Sequence, residues 1–111
     1  MTLTSLSREL FLGFVKAHIL YHASREAVYG LWLIEELARH GYELSPGTLY
    51  PILHKLEEEG LLASEKQVVQ GKARKYYRLT AAGQEALDRV REKAVELLDE
   101  IREDTSPSRP D

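Results

Sequence analysis

Apolar residues recur at intervals of three and four along the first part of the chain. Leu6, Leu10, Phe14, Ala17 and Tyr21 share one side of a helix running from Leu6 to roughly His22. Phe11, Val15, His18 and Ile19 add a second apolar flank, and so wide an arc calls for two packing surfaces. Ala23-Ser24-Arg25-Glu26 reads as a break, with Ser24 a candidate N-cap. A second helix follows from about Arg25 to His40, with Val28, Leu31, Ile34, Leu37 and Ala38 as its buried stripe, and Gly41 stands where a left-handed terminator is expected. After the connector Tyr42-Glu43-Leu44, Ser45-Pro46 starts a third helix. Proline suits the first helical position, where a missing N–H costs nothing. This helix continues to about Glu59, ends at Gly60 and turns Leu49, Ile52, Leu53 and Leu56 inward.

Beyond Gly60 the pattern changes. Leu61 to Val69 and Lys75 to Leu79 read as two strands joined through Gln70-Gly71-Lys72-Ala73-Arg74, a β-hairpin. Thr80 can cap a fourth helix from Ala81 to about Asp104. Its Leu87, Val90, Ala94, Leu97 and Ile101 are spaced 3-4-3-4, a coiled-coil-like seam. The tail 105–111 has the composition of a disordered end. The order helix, helix, helix, hairpin, helix predicts a mainly α fold with a small β-hairpin: a winged helix-turn-helix plus a C-terminal dimerisation helix. The expected organisation is a DNA-binding unit over 1–80, with its N-terminal helix aiding dimerisation, and a dimerisation helix over 81–104.

Composition narrows the function. The chain of 111 residues favours one domain and contains no cysteine. That excludes disulfides, thiolate metal sites and a cysteine nucleophile, and it suits a reducing cytoplasm, the expected location. The N-terminus carries no leader pattern, and the longest apolar stretch is too short to span a bilayer, so no membrane partner is expected. A net charge of −3 taken alone argues against nucleic acid, but its distribution reverses the argument. Residues 81–104 carry eight acids against four bases, whereas residues 61–80 carry five bases against Glu65 alone. DNA responds to the local basic patch rather than to the sum.

Two segments hold the candidate chemistry. The start of the third helix offers Ser45, Gly47, Thr48 and Tyr50 beside free backbone N–H groups and the positive end of the helix dipole, a setting that favours phosphate. His54 and Lys55 lie off the apolar stripe and are placed to reach base edges or a backbone in a major groove. Glu57, Glu58 and Glu59 would be repelled by phosphates, so the duplex should meet the first two turns. In the hairpin, Lys72, Arg74 and Lys75 lie at or beside the tip with Tyr76 adjacent, where long cations can track phosphates or enter a minor groove. Tyr76 and Tyr77 should point to opposite faces, one of them packing on the core with Leu79.

These residues carry a family resemblance. Gly41-Tyr42-Glu43-Leu44-Ser45-Pro46-Gly47-Thr48-Leu49-Tyr50-Pro51, the run Leu53 to Leu62, and Gly71-Lys72-Ala73-Arg74-Lys75-Tyr76-Tyr77-Arg78-Leu79-Thr80 with Gly83 resemble the PadR family of transcriptional regulators. The resemblance spans Tyr29 to Leu87. It implies a winged-helix dimer on a palindromic operator, usually a repressor, with Thr48 and Tyr50 on the recognition helix and Lys72, Arg74 and Tyr76 in the wing. It also implies that the first and last helices build the dimer, here through Leu6, Leu10, Phe14, Leu87, Val90, Ala94, Leu97 and Ile101. Many relatives have a proline before the wing arginine where this chain has Ala73, and longer relatives carry an extended C-terminal domain where this chain has one helix. Effector binding is therefore not carried over.

The remaining residues read as structural. Trp32 is expected to pack on the first or last helix rather than to stack on an aromatic effector. His18 and His22 stand at i and i+4, a spacing that can hold a metal. With no cysteine and no evident third ligand, although Glu26 is one turn further on, they read as interface or surface histidines, and no metal or cofactor is expected. No catalytic motif is visible, so the chain reads as a binding protein and not an enzyme. The rival readings are a winged helix used for protein interaction, and a repressor with a small-molecule effector site at its dimer interface.

Overall fold

The Thr4 hydroxyl accepts the Ser7 backbone N–H at 3.1 Å and so begins the first helix, α1, which runs Ser5–Arg25. The computed structural model describes residues 4–103. Asp104, the tail 105–111 and the first three residues of the stretch read as leaderless lie outside them. The break expected at Ala23–Glu26 comes later. Ser24 caps nothing: its hydroxyl donates to the Tyr21 carbonyl at 2.6 Å inside α1, and the chain becomes extended only at Glu26.

The second helix is shorter than its periodicity suggested. Val28–Tyr29 form a two-residue strand, β1, and α2 spans Gly30–Arg39. Val28 keeps its place in the core, but on a strand, because its backbone finds partners in the hairpin. Leu31, expected in the buried stripe, is 55% exposed, and Gly30, Leu33 and Leu37 take the inner face. α2 ends as anticipated, with Gly41 at φ +89 and the Tyr42 N–H bonded to the Leu37 carbonyl at 2.9 Å.

α3 spans Pro46–Glu58, with Leu49, Leu53 and Leu56 buried. The hairpin strands are β2, Leu62–Val69, and β3, Lys72–Leu79. The five-residue turn expected at Gln70–Arg74 is a two-residue turn, Gln70-Gly71. Both residues have positive φ (52 and 78), the type I′ geometry whose twist matches that of the strands. Lys72 and Arg74 are therefore strand residues, opposite Val69 and Gln67. The antiparallel sheet has the order β1-β3-β2, with Val28 opposite Tyr77 and Tyr29 opposite Tyr76.

Thr80 closes the wing onto the last helix, α4, which spans Ala81–Glu103. Its hydroxyl donates to the Gly60 carbonyl at 2.6 Å and accepts the Gly83 N–H at 3.0 Å. The first turns of α4 pack on α1 and β3. Leu87, expected in the dimer seam, is 6% exposed and belongs to the protomer's own core. From Asp88 onward every described residue of α4 is exposed, about 24 Å of helix. Leu6, Leu10, Phe14 and Tyr21 are exposed on α1, while Val15, Ile19, Leu20 and Ala23 enter the core. The wide apolar arc thus divides into one inner and one outer face. Among the described residues no helix is long and apolar enough to cross a membrane.

Candidate nucleic-acid interface

α3 presents its polar residues at its start because its apolar ones are spoken for. Leu49 and Leu53 are fully buried, which turns Ser45, Gly47, Thr48, Tyr50, His54 and Lys55 outward. The Ser45 side chain does not cap the helix; its hydroxyl donates to the Thr48 hydroxyl at 3.4 Å. Pro46 has no N–H and the Thr48 N–H bonds to the Ser45 carbonyl at 3.0 Å, which leaves the Gly47 amide as the one at the helix start that can face an anion. A Cβ on Gly47 would meet nothing closer than the Ser45 hydroxyl, at 3.7 Å. Internal packing does not require glycine there. Tyr50 lies with its ring against Gly30, leaving no room for a Cβ on that glycine, so the start of α2 positions a side chain of α3.

The wing sorts its residues by face. On one face Lys75 lies 3.6 Å from Glu57 of α3, with its ammonium 5.5 Å from the centre of the buried Tyr77 ring. Glu57 also accepts the Ser64 hydroxyl at 2.6 Å. That bond, with the Lys75 charge, holds its carboxyl below the usual carboxylate range. Lys75, expected at or beside the tip, is a strand residue that tethers the wing to the helix, and Glu57 is drawn toward the wing. On the other face Arg74 lays its guanidinium over the Tyr29 ring, 4.3 Å from its centre, and Tyr76 meets the same ring edge-on at 5.4 Å. Lys72 is exposed beside the turn.

These two faces converge on one cleft of about 180 Å³, lined by Tyr29, Gly30, Leu31, Tyr50, Ala73, Arg74 and Lys75. Tyr50 of α3 and the basic strand of the wing therefore border the same surface. Tyr29 was missed as a contributor. Its only sequence signal is a β-branched and aromatic pair, Val28-Tyr29, before a glycine, too short to stand out inside a helical pattern.

Trp32 packs edge-on against His22 of α1, with ring centres 5.3 Å apart, as expected of a structural residue. The histidines are less solitary than their spacing suggested. His40, the C-cap of α2, joins His18 and His22, and one nitrogen of each lies within 4.8 Å of the others. Glu26 takes no part in this cluster.

A three-helix unit with a three-stranded wing, basic residues on the wing and an uncharged polar start to the third helix define a winged helix-turn-helix of the DNA-binding regulator class. The chain belongs to the transcriptional regulator PadR-like family, whose sequence model matches residues 19–89. It is 53% identical over 94 residues to Transcriptional regulator Rv3488 of Mycobacterium tuberculosis, covering 85% of this chain and 88% of that protein. Its fold is similar to a PadR family transcriptional regulator from Eggerthella lenta, with a TM-score of 0.76 and 38% identity over 92% of each chain. A PadR-like regulator from Bacillus cereus superposes with a TM-score of 0.79 at 30% identity, covering 86% of this chain and 94% of that one. At the level of the family the chain is a DNA-binding transcriptional regulator.

Proposed function

We propose that the protein is a homodimeric repressor that acts in the cytoplasm on a palindromic operator. Each protomer lays the start of α3 in a major groove, with half-sites about one helical turn apart. Ser45, Gly47, Thr48 and Tyr50 set the register on the phosphates, and His54 and Lys55 reach base edges. Lys72 and Arg74 add sequence-independent attraction. The observation that carries this reading is the shared cleft, which puts Tyr50 of the helix and Arg74 of the wing on one side of the molecule. Residues 1–80 then form the reading head and residues 81–104 the dimerisation helix.

The second copy is the occupant proposed for the exposed apolar surface. Leu6, Leu10 and Phe14 on α1 are more than half exposed, and Val90, Leu97 and Ile101 on α4 are 39%, 56% and 62% exposed. A groove of about 290 Å³ runs between the two helices past Leu10, Phe14, Leu20 and Val90. Apolar area on this scale, continuous over two helices, calls for a cover, and dimers are the usual state of winged-helix regulators that read palindromes.

Selection of bound sequences from random DNA, followed by footprinting, tests the reading. The expected result is an inverted repeat protected on one face of the duplex; failure to shift any sequence at low salt overturns it. Within that assay, Lys72→Ala should weaken binding to all sequences alike and reduce the slope of log affinity against log salt by about one. An unchanged slope removes Lys72 from the phosphates. Gly47→Ala is expected to leave stability unchanged or raise it by up to about 1 kcal/mol, since space for a methyl exists and alanine favours helix. Its operator affinity should fall about tenfold, the equivalent of one charge-assisted hydrogen bond. Wild-type affinity in that variant would show that no DNA backbone approaches the glycine.

A further inference from the structure

Two pairs of potential ligands, each spaced i and i+4, face one another across crossing helices. α1 supplies His18 and His22, and α2 supplies Glu36 and His40. The rings of His18 and His40 lie 4.9 Å apart, and one nitrogen from each of the three histidines falls within 4.8 Å of the others. Glu36 Oε2 is 3.1 Å from His40 Nε2 and 3.7 Å from His22 Nε2. His22 Nε2 is buried and has no hydrogen-bond partner, a costly state for a ring nitrogen unless something binds its lone pair.

From this geometry we infer a divalent transition-metal site formed by His18, His22 and His40, with the Glu36 carboxylate as fourth ligand. Three imidazoles and one carboxylate, with no thiolate, suit Zn²⁺ and its first-row neighbours. A tetrahedral zinc with bonds of 2.0–2.1 Å holds its ligand atoms about 3.3 Å apart. Inward side-chain rotations of an ångström or so close the observed cluster to that size. Burial, reinforced for His18 by the neighbouring histidines, holds the His18 and His22 imidazoles below their usual pKa. Burial thus favours the uncharged ring, the form whose lone pair can bind a cation. Glu36 also pairs with Arg39 at 3.3 Å and supplies the one negative charge at the cluster. A cation would exchange the Glu36–His40 hydrogen bond for metal bonds and satisfy His22 Nε2 as well.

The position gives the site a means of control. The cluster opens on a cavity of about 290 Å³ lined by Phe14, Ala17, His18, Tyr21, His22 and His40, on the side of α1 that carries the exposed apolar residues. His40 is the C-cap of α2, and the Tyr42 ring two residues later packs on His18, 5.3 Å between centres, and on Phe11, 5.1 Å. A metal would tie α1 to the end of α2 and to the connector into α3. It would thereby fix how the proposed dimer face is held against the reading head. Metal binding itself is independent of the proposed operator reading; the coupling rests on it.

The test titrates tag-free protein with Co²⁺ in the absence of DNA and then displaces it with Zn²⁺. One Co²⁺ per chain is expected, with the intense visible absorption of a four-coordinate ion, lost on adding Zn²⁺. His40→Ala lies at an exposed helix end and leaves the core intact, so it tests ligation without a folding defect. It should weaken Co²⁺ binding by at least about tenfold, as should His18→Gln and His22→Gln. No saturable binding by the wild type overturns the site, as does wild-type affinity in His40→Ala, which would mark the binding as adventitious. With the selected operator, Zn²⁺ should then change DNA affinity by about fivefold or more, and by linkage operator DNA should shift Zn²⁺ affinity by the same factor. An unchanged DNA affinity overturns the coupling alone, and the DNA-free titration keeps that result distinct from failure of the operator reading.

Discussion

Leu97→Asp is expected to turn the dimer into monomers and to lower operator affinity by at least about a thousandfold. Leu97 is 56% exposed in the protomer and lies in the stretch of α4 where no described residue is buried. Its replacement therefore leaves the protomer core untouched, and the circular dichroism spectrum should not change. In a twofold interface each substitution appears twice, because the same patch meets itself. Two carboxylates would lose water next to Val90 and Ile101, a cost of several kcal/mol per interface. A monomer keeps one half-site, and specific binding exceeds non-specific binding by roughly 10³–10⁷. Sedimentation equilibrium and fluorescence anisotropy read the two effects separately. A wild-type protein that sediments as a monomer would remove the dimer from the proposal.

Helical spacing gave the right helices but the wrong ends where tertiary pairing competes. Val28 fits a helical stripe, yet its backbone pairs with the hairpin, and nothing local in Arg25–Gly30 announces a partner strand some fifty residues away. The ends set by local chemistry were legible: Gly41 and Gly60 adopt positive φ, and Thr80 caps α4. Gln70-Gly71 was part of the expected turn, but its tightness was not read. Gln70 at positive φ is an unusual choice for a type I′ turn, and the basic residues after it resemble loop rather than strand.

The candidate interface was legible in its location more than in its contacts. Of the segments that residue type alone singles out, Ser45 to Lys55 and Lys72 to Tyr76, the first contributes Tyr50 and the second Ala73, Arg74 and Lys75 to one cleft. Charge counting does not tell a cation held by a neighbour from one that is free. Lys75 is engaged by Glu57, and Arg74 is seated on Tyr29, because the sheet alternates side chains between faces. The histidine cluster was half visible for a similar reason. His18 and His22 share a helix face, whereas Glu36 and His40 reach them only through the packing of α2 on α1.

Two adjacent residues of α3 should separate folding from reading. Leu53 is fully buried among the core residues beneath the helix, and His54 is exposed on the outer side, near Tyr50, with ring centres 6.5 Å apart. Leu53→Ala removes methyl groups from a packed site and leaves a cavity, at a cost of about 3 kcal/mol. For a domain of this size that corresponds to a fall in Tm of roughly 12–24 °C. DNA binding should be lost in parallel with the folded fraction, and the affinity of the molecules that remain folded should be little changed. His54→Ala touches no core atom and should alter stability by less than about 0.5 kcal/mol. Its operator affinity should fall by about 1–3 kcal/mol, while affinity for unrelated DNA and the salt slope stay as they were, because a base contact is lost and no phosphate contact is. Calorimetric unfolding beside anisotropy titrations on operator and scrambled duplexes distinguishes the two patterns. If His54→Ala weakens both duplexes equally, His54 contacts the backbone, and sequence is read elsewhere on the helix.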